Sequence, residues 1–144
     1  MICTFFGHRD ATDSIKPKLK DAILQLIKEG VTEFYVGNNG AFDFYVQTVL
    51  KDIAKEHKVN FSVILSAINE RSISVDQSYT VFPEGLEKAL PKFAISKRND
   101  WMINNSQIAI TYVNHHFSSS YKWLEKARKK GLKIINLGTY NNLI

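Results

Sequence analysis

The sequence predicts an α/β fold: an open parallel sheet of about five strands with helices on both faces. Three observations predict it. Five short apolar runs rich in β-branched and aromatic residues punctuate the chain, most without the polar alternation of a half-exposed sheet. Amphipathic helical stretches separate them, in the order β-α-β-α-β-loop-α-β-α-β. Glycine, serine and histidine gather after the strands, not before them, and the exits are where open parallel sheets carry their ligand loops.

The elements follow in chain order. Ile2–Phe6 is the first strand, and Gly7-His8-Arg9-Asp10 is its exit. Ile15, Leu19, Ala22, Ile23, Leu26 and Ile27 form the stripe of an amphipathic helix. Asp13 or Ser14 is placed to cap it, Pro17 is tolerated in its first turn and Gly30 ends it. Glu33–Val36 is the second strand, leaving through Gly37-Asn38-Asn39-Gly40 into a helix marked by Phe42, Val46, Val49, Leu50 and Ile53. Phe61–Leu65 is the third strand. The stretch from Ser66 to Phe82 is polar and long, as expected of a lid, a binding loop or a disordered segment. Leu86, Leu90, Ala94, Ile95, Trp101 and Met102 read as one helix broken at Pro91, or as two. Ile108–Val113 is the fourth strand, leaving through Asn114-His115-His116-Phe117-Ser118-Ser119-Ser120. Trp123, Leu124 and Ala127 mark the last helix, Gly131 closes it, and Lys133–Leu137 is the fifth strand.

No internal repeat or linker interrupts this order, so residues 1–144 read as a single domain. With 44% hydrophobic and 23% charged residues, disordered and collagen-like classes are excluded. Cys3 is the only cysteine, which excludes an internal disulfide and a thiolate metal cluster. No apolar run approaches the roughly 18 residues of a membrane span, and Met1–Phe6 does not read as a signal peptide. A cytoplasmic protein with no membrane partner is expected. The net charge of +5 is concentrated: Tyr121–Lys133 carries six basic residues and one acid, while the rest balances at 13 against 13. A solvated helix end explains this, because the helix dipole favours cations there. Nucleic acid is not the expected partner, since only Tyr121 and Trp123 in that segment could stack on bases.

The strand exits supply the candidate site. Gly7 allows close approach to the backbone, and Arg9 offers a planar fork suited to phosphate. His8 reads first as hydrogen-bonded scaffolding at the same exit. Gly37, Asn38 and Gly40 form a cradle-prone strand-to-helix loop, and the helix that follows presents free N–H groups. Asp43, in that helix's first turn, is stabilised by the dipole and is also placed to bind ribose hydroxyls. Among Ser118, Ser119 and Ser120 one serves as an N-cap, and the others are available to a phosphate. Adjacent His115 and His116 seldom share one ion, so neither metal nor cofactor is expected. Arg98 and Asn99 lie in the long helix at the edge of its apolar face. Taken alone, Arg98 reads as a snorkelling side chain.

Together these residues form a pattern: Phe5-Phe6-Gly7-His8-Arg9, Gly37-x-x-Gly40-x-Phe42-Asp43, Phe82-Pro83-Glu84-Gly85-Leu86-Glu87, Lys97-Arg98-Asn99-x-Trp101-Met102, and Lys130-Gly131-x-x-Ile134-Ile135-Asn136-Leu137. Over almost its whole length the chain resembles the SLOG superfamily of Rossmann-like nucleotide-binding domains, in particular its small single-domain bacterial and phage group of unknown function. The resemblance implies a site for an ADP-ribose-like or nucleoside-phosphate ligand. Gly7 and Arg9 would line it, Gly37, Gly40 and Asp43 would form a second wall, and Arg98 and Asn99 would reach in from the long helix. Relatives often carry a glycine pair where this chain has Ser118-Ser119-Ser120, which changes what a phosphate would meet. The glutamate motif of the superfamily's N-glycosidic enzymes is absent, and Glu125 does not match it.

The expected function is therefore capture of a nucleotide or nucleotide-derived small molecule, as a sensor or sequestering protein, with homo-oligomer formation left open. The alternative is an enzyme that cleaves or transfers an N-glycosidic bond, for which Asp43 is the available carboxylate. Both readings require Arg9, Asp43 and Arg98 to meet around one hollow.

Overall fold

The structure, a computed structural model, describes residues 1–67 and 80–140. Its elements are β1 (Ile2–Gly7), a 3-10 turn (Asp13–Ile15), α1 (Lys16–Lys28), β2 (Glu33–Val36), α2 (Ala41–Ala54), β3 (Asn60–Ile64), β4 (Thr80–Val81), a 3-10 turn (Leu86–Lys88), α3 (Pro91–Asn104), β5 (Ile108–Tyr112), α4 (Ser119–Lys129) and β6 (Lys133–Asn136). All six strands are parallel, in the order β4-β3-β2-β1-β5-β6.

The sixth strand is the difference from the sequence reading. β4 has only two residues, too few to carry a periodicity, and it pairs at Val63↔Thr80 and Ile64↔Val81. It lies at the end of the Ser66–Phe82 connection, most of which falls outside the described residues. A second difference concerns α1. Asp13 and Ser14 sit in the 3-10 turn, and no side chain caps α1, although Pro17 does fall in its first turn. At Pro91 the ambiguity resolves: proline opens α3, where its missing N–H costs nothing, and Leu86–Lys88 forms a separate turn.

Side-chain alternation divides the core between the two faces of the sheet. Cys3, Phe5, Phe34, Val63 and Ile110 pack against Leu19, Ile23 and Leu26 of α1 and Val46, Leu50 and Ile53 of α2. Phe6, Ile64 and Ala109 face the other way, against Met102 and Ile103 of α3 and Trp123 and Ala127 of α4. β1 and β5 are neighbours, from Cys3↔Ile108 to Gly7↔Tyr112. Yet β1 leads into a helix on one face and β5 into a helix on the other. Their exit loops diverge and leave a crevice at the carboxyl end of the sheet, the place where open α/β sheets bind ligands. Among the described residues, no helix is long and apolar enough to cross a membrane.

Candidate functional site

Three glycines bring the walls of this crevice together. A Cβ at Gly7 would run into the ring of Phe42, so the bare backbone lets α2 close against the end of β1. Gly40, the residue before α2, has φ +89°, and a Cβ there would lie 2.9 Å from Arg9 Cα. The neighbouring Ala41 N–H donates to the Arg9 carbonyl at 2.9 Å, which ties the β1 exit to α2. At Gly37 a Cβ would lie 2.8 Å from Asp43 Oδ2 and 2.9 Å from Arg98 Cζ. The sequence suggests that these glycines admit a ligand. Here the space beside each is filled by protein atoms, and Gly37, Asn38 and Gly40 do not line the hollow.

What Gly37 makes room for is the guanidinium of Arg98. Arg98 is 2% exposed, so it is a buried residue and not the snorkelling one suggested by its helix position. Its Nε donates to Asn99 Oδ1 at 2.8 Å. Nη1 donates to Asn38 Oδ1 at 3.2 Å and to the Ile64 carbonyl at 3.1 Å, and Nη2 donates to Asn39 Oδ1 at 3.0 Å. Four of its five N–H groups are thus matched by neutral acceptors. The three ion pairs found among the described residues do not include it. Burial works against its charge, and Asp43 works for it from beyond ion-pair distance. Arg98 thereby fixes the loop after β2 through both of that loop's asparagines.

Asp43 is held by the same loop: its Oδ2 accepts the Asn39 N–H at 3.0 Å. Burial pushes its carboxyl up to about 6, while Arg98, the Asn39 N–H and Arg9 pull the other way. No donor among the described residues meets Oδ1. Among the described residues the only enclosed side-chain polar atom without a partner is Ser106 Oγ, so Oδ1 is not enclosed, and Asp43 lines the hollow.

That hollow, about 250 Å³, occupies the crevice between the β1 and β5 exits and brings together Arg9, Asp43 and Arg98. Asn99 also lines it, as does Gly7. Phe6, Met102 and Trp123 give it an apolar wall, and Ser119, Ser120 and Lys122 bring in the first turn of α4. The three serines divide their work. Ser118 is the N-cap, its Oγ accepting the Tyr121 N–H at 3.2 Å. Ser120 is 6% exposed, and its hydroxyl has no protein partner among the described residues. Arg9 is exposed, and its guanidinium likewise makes no hydrogen bond or ion pair there. Lys122 Nζ lies 5.7 Å from the centre of the Trp123 ring. A free guanidinium, an unpaired hydroxyl, an ammonium and the positive end of a helix therefore share one small space.

His8 lies outside it. Its Nε2 accepts the Asn114 N–H at 2.9 Å and its ring stacks on His115, with centroids 4.9 Å apart. Burial lowers its pKa, His115 adds to this and Asp10 opposes it. A neutral ring accepting a backbone N–H staples the β1 exit to the β5 exit. Among the described residues no three His, Cys, Asp or Glu side chains gather as a metal site.

The lining residues that sequence reasoning missed include Asn39, Ser96, Met102, Lys122 and Trp123. Lys122 and Trp123 follow the serines by one helical turn, and that spacing was the available signal. Asn39 had none until Arg98 proved buried and in need of acceptors. Compared with protein-family models and with curated proteins, the chain matches none.

Proposed function

We propose that the chain is a SLOG-type domain that binds a nucleotide or nucleotide-derived small molecule, as a sensor or a sequestering protein. The observation that carries this reading is the convergence of Arg9, Asp43 and Arg98 on one hollow at the switch point of the sheet. A phosphate would sit at the first turn of α4, between Arg9, Ser120 and Lys122. Asp43 Oδ1 and Asn39 would face the sugar, and the wall of Phe6, Met102 and Trp123 would take apolar or aromatic ligand surface. Arg98 positions Asn39, and through it Asp43, with its donors already committed to the protein.

The test is calorimetric titration and thermal shift with NAD, ADP-ribose, cyclic nucleotides and nucleoside monophosphates. One class should bind and stabilise the fold. Arg9→Ala should weaken that binding by about 1.5–3 kcal/mol, the worth of a charge-assisted hydrogen bond. A panel in which nothing binds would remove the reading.

One observation favours the enzyme as a second reading. A buried carboxyl raised to about 6, with a free oxygen in the hollow, has the properties of a general acid for N-glycosidic cleavage. Incubation with nucleoside monophosphates should then release free base, and Asp43→Asn should abolish the release.

A further inference from the structure

Among the described residues Asp43 is the only acid lining the hollow. It faces Arg98 from α3 and Arg9 from the β1 exit, and Lys122 of α4 lines the same space. His8 lies outside the hollow with Nε2 occupied by the Asn114 N–H. The hollow measures only about 250 Å³, and Arg9, Ser120 and Asp43 all line it, so an anion seated between Arg9 and Ser120 shares that space with Asp43. Two negative charges sharing so small a space repel. Protonation of the carboxyl relieves the repulsion, and Asp43 is built to accept it: Oδ2 keeps the Asn39 N–H, while Oδ1 has no donor among the described residues.

Resting on the phosphate site proposed above, we propose that Asp43 is the proton-binding group of the hollow. A doubly charged anion enters between Arg9 and Ser120 with the uptake of one solvent proton onto Asp43 Oδ1, and the bound pair releases that proton when the anion leaves. Affinity therefore falls as pH rises through neutrality. The raised carboxyl agrees, since a nearby anion pushes it further in the same direction. The site thus favours dianions at mildly acidic pH and lets them go at alkaline pH.

Inorganic sulfate is the probe, because it stays dianionic over the whole range and only the protein titrates. Calorimetric titrations run from about pH 5.5 to 8.5 at constant ionic strength. Wild-type affinity should fall by up to about tenfold per pH unit above pH 6, the slope of one linked proton. The wild-type heat at neutral pH should vary with the ionisation enthalpy of the buffer, as proton uptake requires. Asp43→Asn should bind with no such pH slope, and at the alkaline end more tightly than wild type by tenfold or more. Equal pH slopes in the two proteins, or a wild-type heat that ignores the buffer, would overturn the proton linkage and leave the phosphate site standing. Sulfate failing to bind wild type at any pH would remove both. The buffer series needs no variant, so it decides even where Asp43→Asn does not fold.

Discussion

Gly37 shows how little space separates Arg98 from Asp43. Its backbone is not in the left-handed region, so what stands against alanine there is the space its Cβ would need. Gly37→Ala should destabilise the protein by about 1–3 kcal/mol in urea unfolding, the usual cost of overpacking. A change below about 0.5 kcal/mol would mean that the guanidinium slides aside freely. Asp43 makes the complementary case through pH. Its ordinary value is 3.8 and its folded value about 6, so the native state holds the proton more tightly than the unfolded chain. The stabilisation this brings is complete below pH 4 and is lost as pH rises from 4 to 6, a swing of about 3 kcal/mol. Denaturant titrations at several pH values should show that falling component in wild type and lose it in Asp43→Asn. An unchanged profile would place the carboxyl in an environment much closer to water. Little of this was legible in the sequence. Position 98 sits at the edge of a helical apolar stripe, and its acceptors come from residues 38, 39, 64 and 99, mostly distant in the chain. Periodicity reports which face of a helix is buried and does not report whether a charged residue on that face finds partners.

Helix ends were more legible than strand ends because their chemistry is local. Pro91 opening α3, Gly30 and Gly131 after α1 and α4, and one serine capping α4 all follow from the sequence within a few residues. The capping of α1 did not follow, since Asp13 and Ser14 were drawn into a 3-10 turn in which the Thr12 and Ser14 hydroxyls meet at 2.7 Å. β4 escaped because a two-residue strand is defined by its partner and not by a pattern of its own. The first turn of α4 allows a separation of structural from ligand-directed serine. Ser118→Ala removes a cap and should cost about 1 kcal/mol of stability, with little change in anion affinity. Ser120→Ala removes a hydroxyl with no partner among the described residues and should leave stability nearly unchanged. It should weaken sulfate binding by about tenfold, as the loss of a hydrogen bond to a charged group does. The opposite pattern, with Ser120→Ala the less stable variant and the unchanged binder, would place the anion elsewhere.

At the scale of the whole molecule, the alternation of strands and helices predicted the layers, but the strand order needed the coordinates. The chain runs outward from β1 to β4 and then returns past β1 to β5, and only this return sets the β1 and β5 exits side by side. The hollow consequently takes its walls from the loop after β1, from α2 with the loop before it, from α3 and from α4. No two of these walls are joined by a short stretch of chain alone. Their mutual position rests on the sheet and on the contacts of Gly7, Gly37 and Gly40 with Phe42, Arg98 and Arg9. A ligand that binds only the assembled hollow must then hold all four walls at once, adding about 2.7 kcal/mol of stability at one hundred times its Kd. Hydrogen exchange should register this as slower exchange at Arg9, at Asn39, in the middle of α3 and in the first turn of α4 together. The exit of β6 offers a control. Its Asn136 accepts from Thr111 and the Val113 and Gly138 N–H groups in a closed network that does not line the hollow. Protection confined to α4 would reduce the site to a helix end binding an anion, and protection extending equally to the β6 exit would indicate general stiffening without a defined site.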